Sequence, residues 1–154
     1  MADIVDTATR SRMMSGIRGK DTKPELIVRQ FLHSHGFRYR LHLKTLPGRP
    51  DLVLPKHRAV IFVHGCYWHR HQNCRLAYNP KSREDFWQEK FRLNVKRDEN
   101  AFAQLREDGW RIMTIWECAL RDCELREIGL NKVAEWIESD WASAEFPPRA
   151  TMST

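Results

Sequence analysis

DLVLPKHRAVIFVH, residues 51–64, has the pattern of two neighbouring strands at the centre of a β-sheet. Asp51 opens a short apolar run, and residues 55–58 form a turn before a continuous apolar and β-branched run over residues 59–63. Continuous runs of this kind are typical of strands that are buried on both faces. We therefore predict a hairpin whose second strand is central, with Asp51 at the start of its first strand.

The residues before this hairpin predict a helix and a further strand. Thr22 is a suitable helix cap, Pro24 suits the first turn and Gly36 a helix end. Four apolar side chains fall on one face of this helix: Ile27, Val28, Phe31 and Leu32. Residues 37–42 then predict a strand, which is followed by the Pro-Gly-Arg-Pro loop at 47–50.

The residues after the hairpin predict two helices with a strand between them. A long polar helix is expected from about Arg83, capped by Ser82, to Asp108, and residues 110–116 predict an apolar strand. An amphipathic helix follows over residues 124–138. Three of its apolar side chains are expected to face inward: Ile128, Val133 and Trp136. The order helix, three strands, helix, strand, helix predicts an α/β domain of three layers, with a mixed central sheet flanked by helices.

The length of 154 residues fits one domain, which we place at residues 21–140. Residues 141–154 are assigned to a C-terminal tail without a predicted element. Residues 1–20 are assigned to an N-terminal arm, in which residues 7–18 can form a helix with Met14 at an apolar tip among arginines. Two interpretations of this segment stay open: a frayed basic helix, or an arm that contacts DNA.

The composition favours a protein that binds polyanions in a reducing compartment. Lys and Arg number 26 against 20 for Asp and Glu, which gives a net charge of +6, and a positive field attracts nucleic acid. No apolar run has membrane-spanning length, and the first residues lack the pattern of a secretory signal. We therefore expect a cytoplasmic protein without membrane association, in which some of the four cysteines bind metal rather than form disulfides.

HGCYWHRHQNC, residues 64–74, has three histidines and two cysteines among eleven residues. Structural zinc takes four nitrogen or sulfur ligands. The set that closes such a site is Cys66, His71, Cys74 and Cys118. Alternatives stay open, because His69 or Cys123 could replace one of these four, and the thiols could instead be buried without a metal. We interpret Cys123 as the free cysteine.

A second constellation joins Glu25 and Asp51 to the end of the central strand at Val63 and His64. The hairpin can place a carboxylate next to a main-chain carbonyl, and such oxygen ligands hold the magnesium ions that assist phosphodiester hydrolysis. His69 is the candidate general base, because imidazole titrates near neutral pH, and His64 is expected to contact the scissile phosphate or a water of the metal site. The simpler alternatives are a turn residue for Asp51, a capping-box residue for Glu25 and orientation of zinc ligands for the histidines.

Three aromatic residues lie in polar surroundings: Tyr67, Trp68 and Trp87. Tyr67 and Trp68 are adjacent in a short loop crowded with metal ligands, so both are difficult to bury. Flat side chains next to a basic face can stack on bases or wedge between base pairs. We therefore predict a DNA-contacting wedge, with ordinary core packing as the alternative for Trp87.

Several stretches of the chain share the motifs of one known family. They read ATRS at 8–11, PGRPD at 47–51, IFVHGCYWH at 61–69, FW at 86–87, NVKRD at 94–98, GWR at 109–111 and IWECAL at 115–120. With these motifs the chain closely resembles the very short patch repair endonucleases, the Vsr family of bacterial mismatch nicking enzymes. The resemblance extends to about residue 138, and residues 61–69 carry its most specific motif.

The resemblance implies a restriction-endonuclease-like fold and an activity. The expected reaction is a magnesium-dependent cut of one DNA strand on the 5′ side of the thymine in a T:G mismatch, which arises when 5-methylcytosine deaminates. The expected partner is double-stranded DNA with such a mismatch, and a MutL-type repair protein is the candidate protein partner. We expect a monomer.

The resemblance also implies roles for individual residues. Asp51 is expected to bridge two magnesium ions, the main-chain carbonyl of Val63 to ligate one, and Glu25, His64 and His69 to complete the site. The implied zinc ligands are Cys66, His71, Cys74 and Cys118. The implied wedge of Tyr67, Trp68 and Trp87 enters the major groove, while Met14 approaches from the minor groove.

Two further functions are compatible with the same residues. One is a restriction-type nuclease of the same fold that acts on matched duplex. The other is a zinc-stabilised DNA-binding module without catalysis, in which the carboxylates cap helices and the aromatic residues only stack. The pairing of Asp51 with His69 near one strand argues against the module.

Overall fold

The computed structural model describes residues 22–148. Its helices are α1 (Lys23–Ser34), α2 (Glu84–Glu107), α3 (Glu117–Arg121) and α4 (Cys123–Ile137). Its strands are β1 (Arg40–Leu41), β2 (Leu52–Leu54), β3 (Ala59–His64), β4 (Arg111–Trp116) and β5 (Ser143–Phe146). A short 3-10 turn at Pro55–His57 joins β2 to β3.

The strands form one mixed sheet in the order β1-β2-β3-β4-β5. The predicted hairpin is confirmed, because β2 and β3 pair antiparallel with Leu52 opposite Ile61 and Leu54 opposite Ala59. β3 and β4 pair parallel along their whole length, which places His64 opposite Trp116. The carboxyl ends of these two central strands therefore meet at the same edge of the sheet, where open α/β sheets commonly bind ligands.

Helices cover both faces of the sheet, which confirms the prediction of three layers. The alternation of side chains along β3 sends Ile61 to one face and Val60 to the other. Ile61 belongs to a core with α1 and α4, whose central members also include Val28, Leu32, Met113, Ile115, Val133 and Trp136. Val60 belongs to a smaller core with α2, which also includes Val53, Phe62, Leu105 and Ile112. The apolar run over residues 59–63 is thus explained by burial on both sides.

The first helix begins and ends where the sequence predicts. The hydroxyl of Thr22 accepts a hydrogen bond from the amide of Glu25 (3.4 Å), and Gly36 follows the helix with a φ of 83°. The strand predicted at 37–42 is shorter, because only Arg40 and Leu41 pair with β2. His42 leaves the strand with a φ of 47°, although its amide still donates to the carbonyl of Asp51 (3.2 Å).

The start of α2 and one face of α4 differ from the sequence predictions. The cap of α2 is Arg83, in a left-handed conformation (φ 54°) without a side-chain capping bond, so the prediction of Ser82 as cap is wrong. Ile128, predicted to face inward, is 48% exposed. Val133 and Trp136 are buried as predicted, because α4 presents the face that carries those two residues to the sheet.

The C-terminal segment contains a strand that the sequence analysis did not predict. β5 pairs parallel with β4 over four residues, from Ser143 opposite Ile112 to Phe146 opposite Ile115. Phe146 also packs against the core shared by α1 and α4. A short SAEF segment with one strong strand former gives little local signal, and the strand forms because β4 offers it an edge. The sheet therefore continues into the residues assigned to the tail.

Gly129 permits this docking, and its substitution tests it. A Cβ at Gly129 would lie 2.8 Å from Cδ1 of Phe146, closer than van der Waals contact allows. We expect Gly129→Ala to lower the free energy of unfolding by roughly 1 kcal/mol, because overpacking outweighs the gain in helix propensity. In a Phe146→Ala background the same change should stabilise the protein. Urea unfolding of wild type, Gly129→Ala, Phe146→Ala and the double variant measures the coupling energy between the two positions. Asn131→Ala, at an exposed position of α4, is the control. Equal effects in both backgrounds would contradict the prediction.

Two parts of the sequence analysis concern residues outside the described range. The N-terminal arm at 1–20, with Met14, and the last six residues of the tail lie outside residues 22–148. Within residues 22–148, no helix combines the length and the apolarity that crossing a membrane requires.

Candidate active site and metal cluster

Two carboxylates and a histidine meet beside the start of β2. Glu25 comes from α1, His42 follows β1 and Asp51 precedes β2, and one donor atom from each lies within 4.8 Å of the others. Glu25 is only 1% exposed. The carboxylate of Asp51 accepts a hydrogen bond from the amide of Val63 on β3 (2.7 Å). The antiparallel pairing of β2 and β3 thus fixes Asp51 beside Val63, as the sequence predicts.

The loop before Asp51 is held close to α2. Gly48 has a φ of 73°, and a Cβ added there would lie 2.8 Å from Cβ of Ala101 and 3.3 Å from the ring of Phe62. Only glycine combines this left-handed backbone with so close an approach. The PGRP loop therefore packs against the domain and delivers Asp51 in a fixed position.

The environment of Asp51 disfavours its negative charge. Burial raises its pKa from 3.8 to about 8, the nearby Glu25 carboxylate contributes to the rise, and the Val63 amide opposes it. Two acidic groups are close together where water is largely excluded, which is costly without a compensating charge. A divalent cation between them would favour the ionised forms, so the donor set fits a hard cation such as Mg²⁺.

Two histidines stack at the end of β3. The rings of His64 and His69 lie 3.8 Å apart between centroids and are parallel within 2°. Burial, together with the neighbouring His69, lowers the pKa of His64 well below its usual value, so this ring is neutral at neutral pH. Nδ1 of His69 lies 2.7 Å from a carboxylate oxygen of Asp98 on α2. The carboxylate of Asp98 thus holds the ring of His69 through Nδ1.

The four side chains that the sequence predicts as zinc ligands lie together. The donor atoms of Cys66, His71, Cys74 and Cys118 are within 4.8 Å of one another. Nδ1 of His71 is 3.6 Å from the sulfur of Cys66 and 3.5 Å from that of Cys118. The register of the sheet explains the distant Cys118, because Cys66 and Cys118 each come two residues after the paired ends of β3 and β4.

Burial disfavours the thiolate form in this cluster. It raises the pKa of the Cys66 and Cys118 thiols and lowers the pKa of His71, whose ring stacks on Trp116 at 4.2 Å. A bound cation reverses this preference, because it stabilises the thiolates. Three sulfurs and one nitrogen fit the ligand set of a structural zinc site. Cys123 is exposed and lies outside the cluster.

Arg70 holds the loop that contains these ligands. Its guanidinium donates hydrogen bonds to the carbonyls of Tyr67, Ala77 and Tyr78 and to the side chain of Asn79. It also lies over the ring of Phe91 at 3.9 Å. One side chain therefore closes the loop and fixes it to α2.

The three predicted wedge residues belong to one group of aromatic side chains, which also includes Phe91 of α2. Tyr67 lies 5.0 Å from Trp68 and 5.2 Å from Phe91, and Trp68 lies 6.0 Å from Trp87. Phe91 is buried, whereas Tyr67, Trp68 and Trp87 are each half-buried. The buried ring anchors the group, and part of each of the other three rings remains available for stacking on a ligand.

One cleft connects the carboxylate site to the aromatic group. It has a volume of about 450 Å³, and its lining includes Asp51, His64, His69, Tyr67 and Trp68. The histidine pair also lines a larger cavity of about 1070 Å³ together with Asp98. A carboxylate, two imidazoles and flat aromatic rings therefore border a common space.

Comparison with known proteins assigns the family. A family model described as DNA mismatch endonuclease Vsr matches residues 2–76. The DNA mismatch endonuclease Vsr of Escherichia coli is 44% identical over 148 residues, which cover 95% of this chain and 94% of the relative. The chain belongs to the Vsr family.

Other Vsr relatives are named as nicking enzymes. The type II nicking enzyme V.XorIIP of Xanthomonas oryzae is 44% identical over 135 residues, covering 88% of this chain and 98% of the relative. The type II nicking enzyme V.NmeAIP of Neisseria meningitidis is 41% identical over 138 residues, covering 90% and 98%. The family predicted from the motifs is therefore confirmed.

Two residues of this Vsr-family site, Asp98 and His42, have no role predicted from the sequence. Asp98 stands in the NVKRD motif, but nothing local connects it with His69, which precedes it by 29 residues. His42 is one of seven histidines in the chain and comes beside Glu25 only through the pairing of β1 with β2. The helical position of Asp98, on α2 above the end of β3, is the signal that could have found it.

Proposed function

We propose that this Vsr-family endonuclease nicks one strand of duplex DNA on the 5′ side of the thymine in a T:G mismatch, by Mg²⁺-dependent hydrolysis in very short patch repair. The observation that carries this proposal is the cleft of about 450 Å³, because Asp51, His64 and His69 line it together with Tyr67 and Trp68. A nicking enzyme that acts on distorted duplex needs hydrolytic groups beside rings that can enter the stack. We further propose that it acts as a cytoplasmic monomer.

The carboxylate site is the proposed position of two magnesium ions. Asp51 and the main-chain carbonyl of Val63 would hold them, and Glu25 completes the acidic side of the site. Bound Mg²⁺ lowers the pKa of water and neutralises the charge that gathers on the phosphate during hydrolysis. The burial of Glu25 and its proximity to Asp51 support this assignment.

The histidine pair supplies the remaining chemistry. In the proposed reaction His69 accepts the proton of the attacking water at Nε2, while Asp98 holds Nδ1 and stabilises the imidazolium that forms. The oxygen of that water forms a bond to phosphorus as the bond to the 3′ oxygen breaks, and the released 3′ oxygen takes a proton from solvent, to which His69 then returns the proton it accepted. His64 is neutral and hydrogen-bonds to a phosphate oxygen without adding charge.

The remaining groups position the DNA and the catalytic loop. Cys66, His71, Cys74 and Cys118 are the proposed ligands of a structural Zn²⁺, which joins the segments after β3 and β4. Tyr67, Trp68 and Trp87 are proposed to enter the duplex from the major groove. Their anchoring on Phe91 supports this, because a rigid wedge loses little conformational entropy when it binds.

Asp98→Ala tests the orientation of His69. We expect kcat on T:G duplex to fall roughly 10- to 100-fold with little change in KM, because His69 loses the group that fixes its ring and its tautomer. Single-turnover nicking assays measure this change. Glu99→Ala is a matched control, since it removes an exposed carboxylate from the next position of α2. A kcat within twofold of wild type for Asp98→Ala would contradict the assignment.

The proposed function is tested with a labelled duplex that contains one T:G pair, against the same duplex with T:A, with and without Mg²⁺. We expect a Mg²⁺-dependent nick beside the mismatched thymine only. Cutting of both duplexes would indicate a restriction-type nuclease and overturn the mismatch specificity. Binding without cutting would overturn the catalytic assignment.

A further inference from the structure

The backbone at His42 is in a conformation that few residues other than glycine adopt. Its φ is 47°, which is uncommon for a side chain that has a Cβ. Its amide donates to the carbonyl of Asp51 (3.2 Å), so the same residue closes the bridge between β1 and the start of β2. Backbone strain of this kind persists only where its surroundings hold it, and it is concentrated at functional sites.

This conformation directs the ring of His42 to Glu25. Nε2 lies 2.8 Å from Oε2 of Glu25, and the side chains are 20% and 1% exposed. Arg29 contacts the same oxygen at 3.3 Å, from one turn further along α1. Of these two contacts on Oε2, that of His42 is the shorter, and it comes from the residue whose amide bonds to the carbonyl of Asp51.

The position of Glu25 matters because its neighbour is another carboxylate. Donor atoms of Glu25 and Asp51 lie within 4.8 Å of each other, so the two groups repel when both are ionised. A hydrogen-bond donor on Oε2 opposes rotation of Glu25 away from Asp51. Partners that hydrogen-bond ligating carboxylates in this way tune the affinity of a cation site.

We propose that His42 is a positioning residue of the carboxylate site, whose Nε2–H donates to Glu25 and keeps that carboxylate beside Asp51. The inference rests on the proposed function, because the cation site belongs to it. His42 contacts neither DNA nor the reacting atoms in this role. It acts through Glu25. Another side chain that donates a hydrogen bond from the same place should therefore retain part of the positioning of Glu25.

Two variants separate this role from simple packing. His42→Gln retains an N–H donor of similar reach, whereas His42→Ala removes it. We expect His42→Ala to weaken Mn²⁺ binding to the DNA-free protein and to lower kcat, each roughly 10-fold, with KM for T:G duplex within twofold of wild type. His42→Gln should recover both quantities to within about threefold. His33→Ala, at an exposed histidine of α1, is the matched control.

A spectroscopic measurement tests the hydrogen bond without any activity. In ¹⁵N-histidine-labelled protein, Nε2 of His42 should carry a proton at neutral pH, and its nitrogen shift should change in Glu25→Gln while that of His33 does not. A His42 protonated only at Nδ1 would overturn the proposal. The proposal would also be overturned if His42→Ala were as active as an active wild type. A folded His42→Gln protein as impaired as His42→Ala would overturn it too. A wild type that neither binds Mn²⁺ nor nicks would instead overturn the proposed function.

Discussion

Asp51→Asn is expected to lower the rate of nicking on a T:G duplex by at least about 1000-fold while duplex binding is retained. The amide keeps the size of the side chain and an oxygen that can accept the hydrogen bond of the Val63 amide (2.7 Å in the wild type). It lacks the negative charge that would hold the proposed divalent cation. Loss of about 4 kcal/mol of transition-state stabilisation corresponds to a 1000-fold change, and a catalytic metal supplies several kcal/mol.

Single-turnover nicking and a binding titration on the same duplex measure the two properties separately. Asp140→Asn, which changes an exposed aspartate after α4, is the matched control and should behave as wild type. An Asp51→Asn protein that nicks within tenfold of the wild-type rate would show that Asp51 is not a catalytic residue. One that is inactive and also fails to bind duplex would point to a structural effect.

Asp51→Asn should also change how the stability of the protein without added Mg²⁺ depends on pH. Burial raises the pKa of Asp51 from 3.8 to about 8, so the folded state holds its proton over a pH range in which the unfolded state releases it. Between these values the folded state binds more protons, and its stability therefore falls as pH rises. We expect the melting temperature of wild type without added Mg²⁺ to decrease relative to that of Asp51→Asn as pH increases from 4 to 8.

The centre of the fold was predictable because its signals are local. The run over residues 59–63 is apolar at every position, and α1 is marked by Thr22 and Pro24 at its start and by Gly36 just after its end. β5 was not predictable, since its SAEF segment becomes a strand only when β4 presents an edge beside it. Local pattern thus identifies buried elements well and edge strands poorly.

The candidate site shows the same division. Asp51 could be placed beside Val63 because a hairpin register brings them together, and the four cluster ligands could be grouped because their residue types are rare and chemically specific. The contacts of His69 with Asp98 and of His42 with Glu25 span 29 and 17 residues. They depend on the packing of a helix or a loop against the sheet, for which only the helical position of Asp98 gives a signal in the sequence.

Loss of a cluster ligand is expected to have the largest effect on stability. We predict that Cys74→Ala removes bound zinc and lowers the free energy of unfolding by more than about 4 kcal/mol. The reason is that the binding free energy of a structural zinc is as large as the whole free energy of unfolding of a typical domain. Thermal unfolding and elemental analysis of the purified protein measure both. Cys123→Ala, at an exposed cysteine outside the cluster, should keep wild-type stability and one zinc per chain. A folded, fully active Cys74→Ala protein would show that zinc does not stabilise this domain.

The effect on activity should appear before the domain unfolds. Only Gly65 separates Cys66 from His64 at the end of β3, and three residues further along the same loop His69 stacks on His64 at 3.8 Å. Loss of the proposed zinc, which would join Cys66 to Cys118, should therefore release the segment that carries the proposed general base. Graded removal of zinc by a zinc-selective chelator, with Mg²⁺ in excess, should lower the nicking rate at temperatures where far-ultraviolet circular dichroism is unchanged. Parallel loss of rate and helix signal would mean that zinc serves global stability alone.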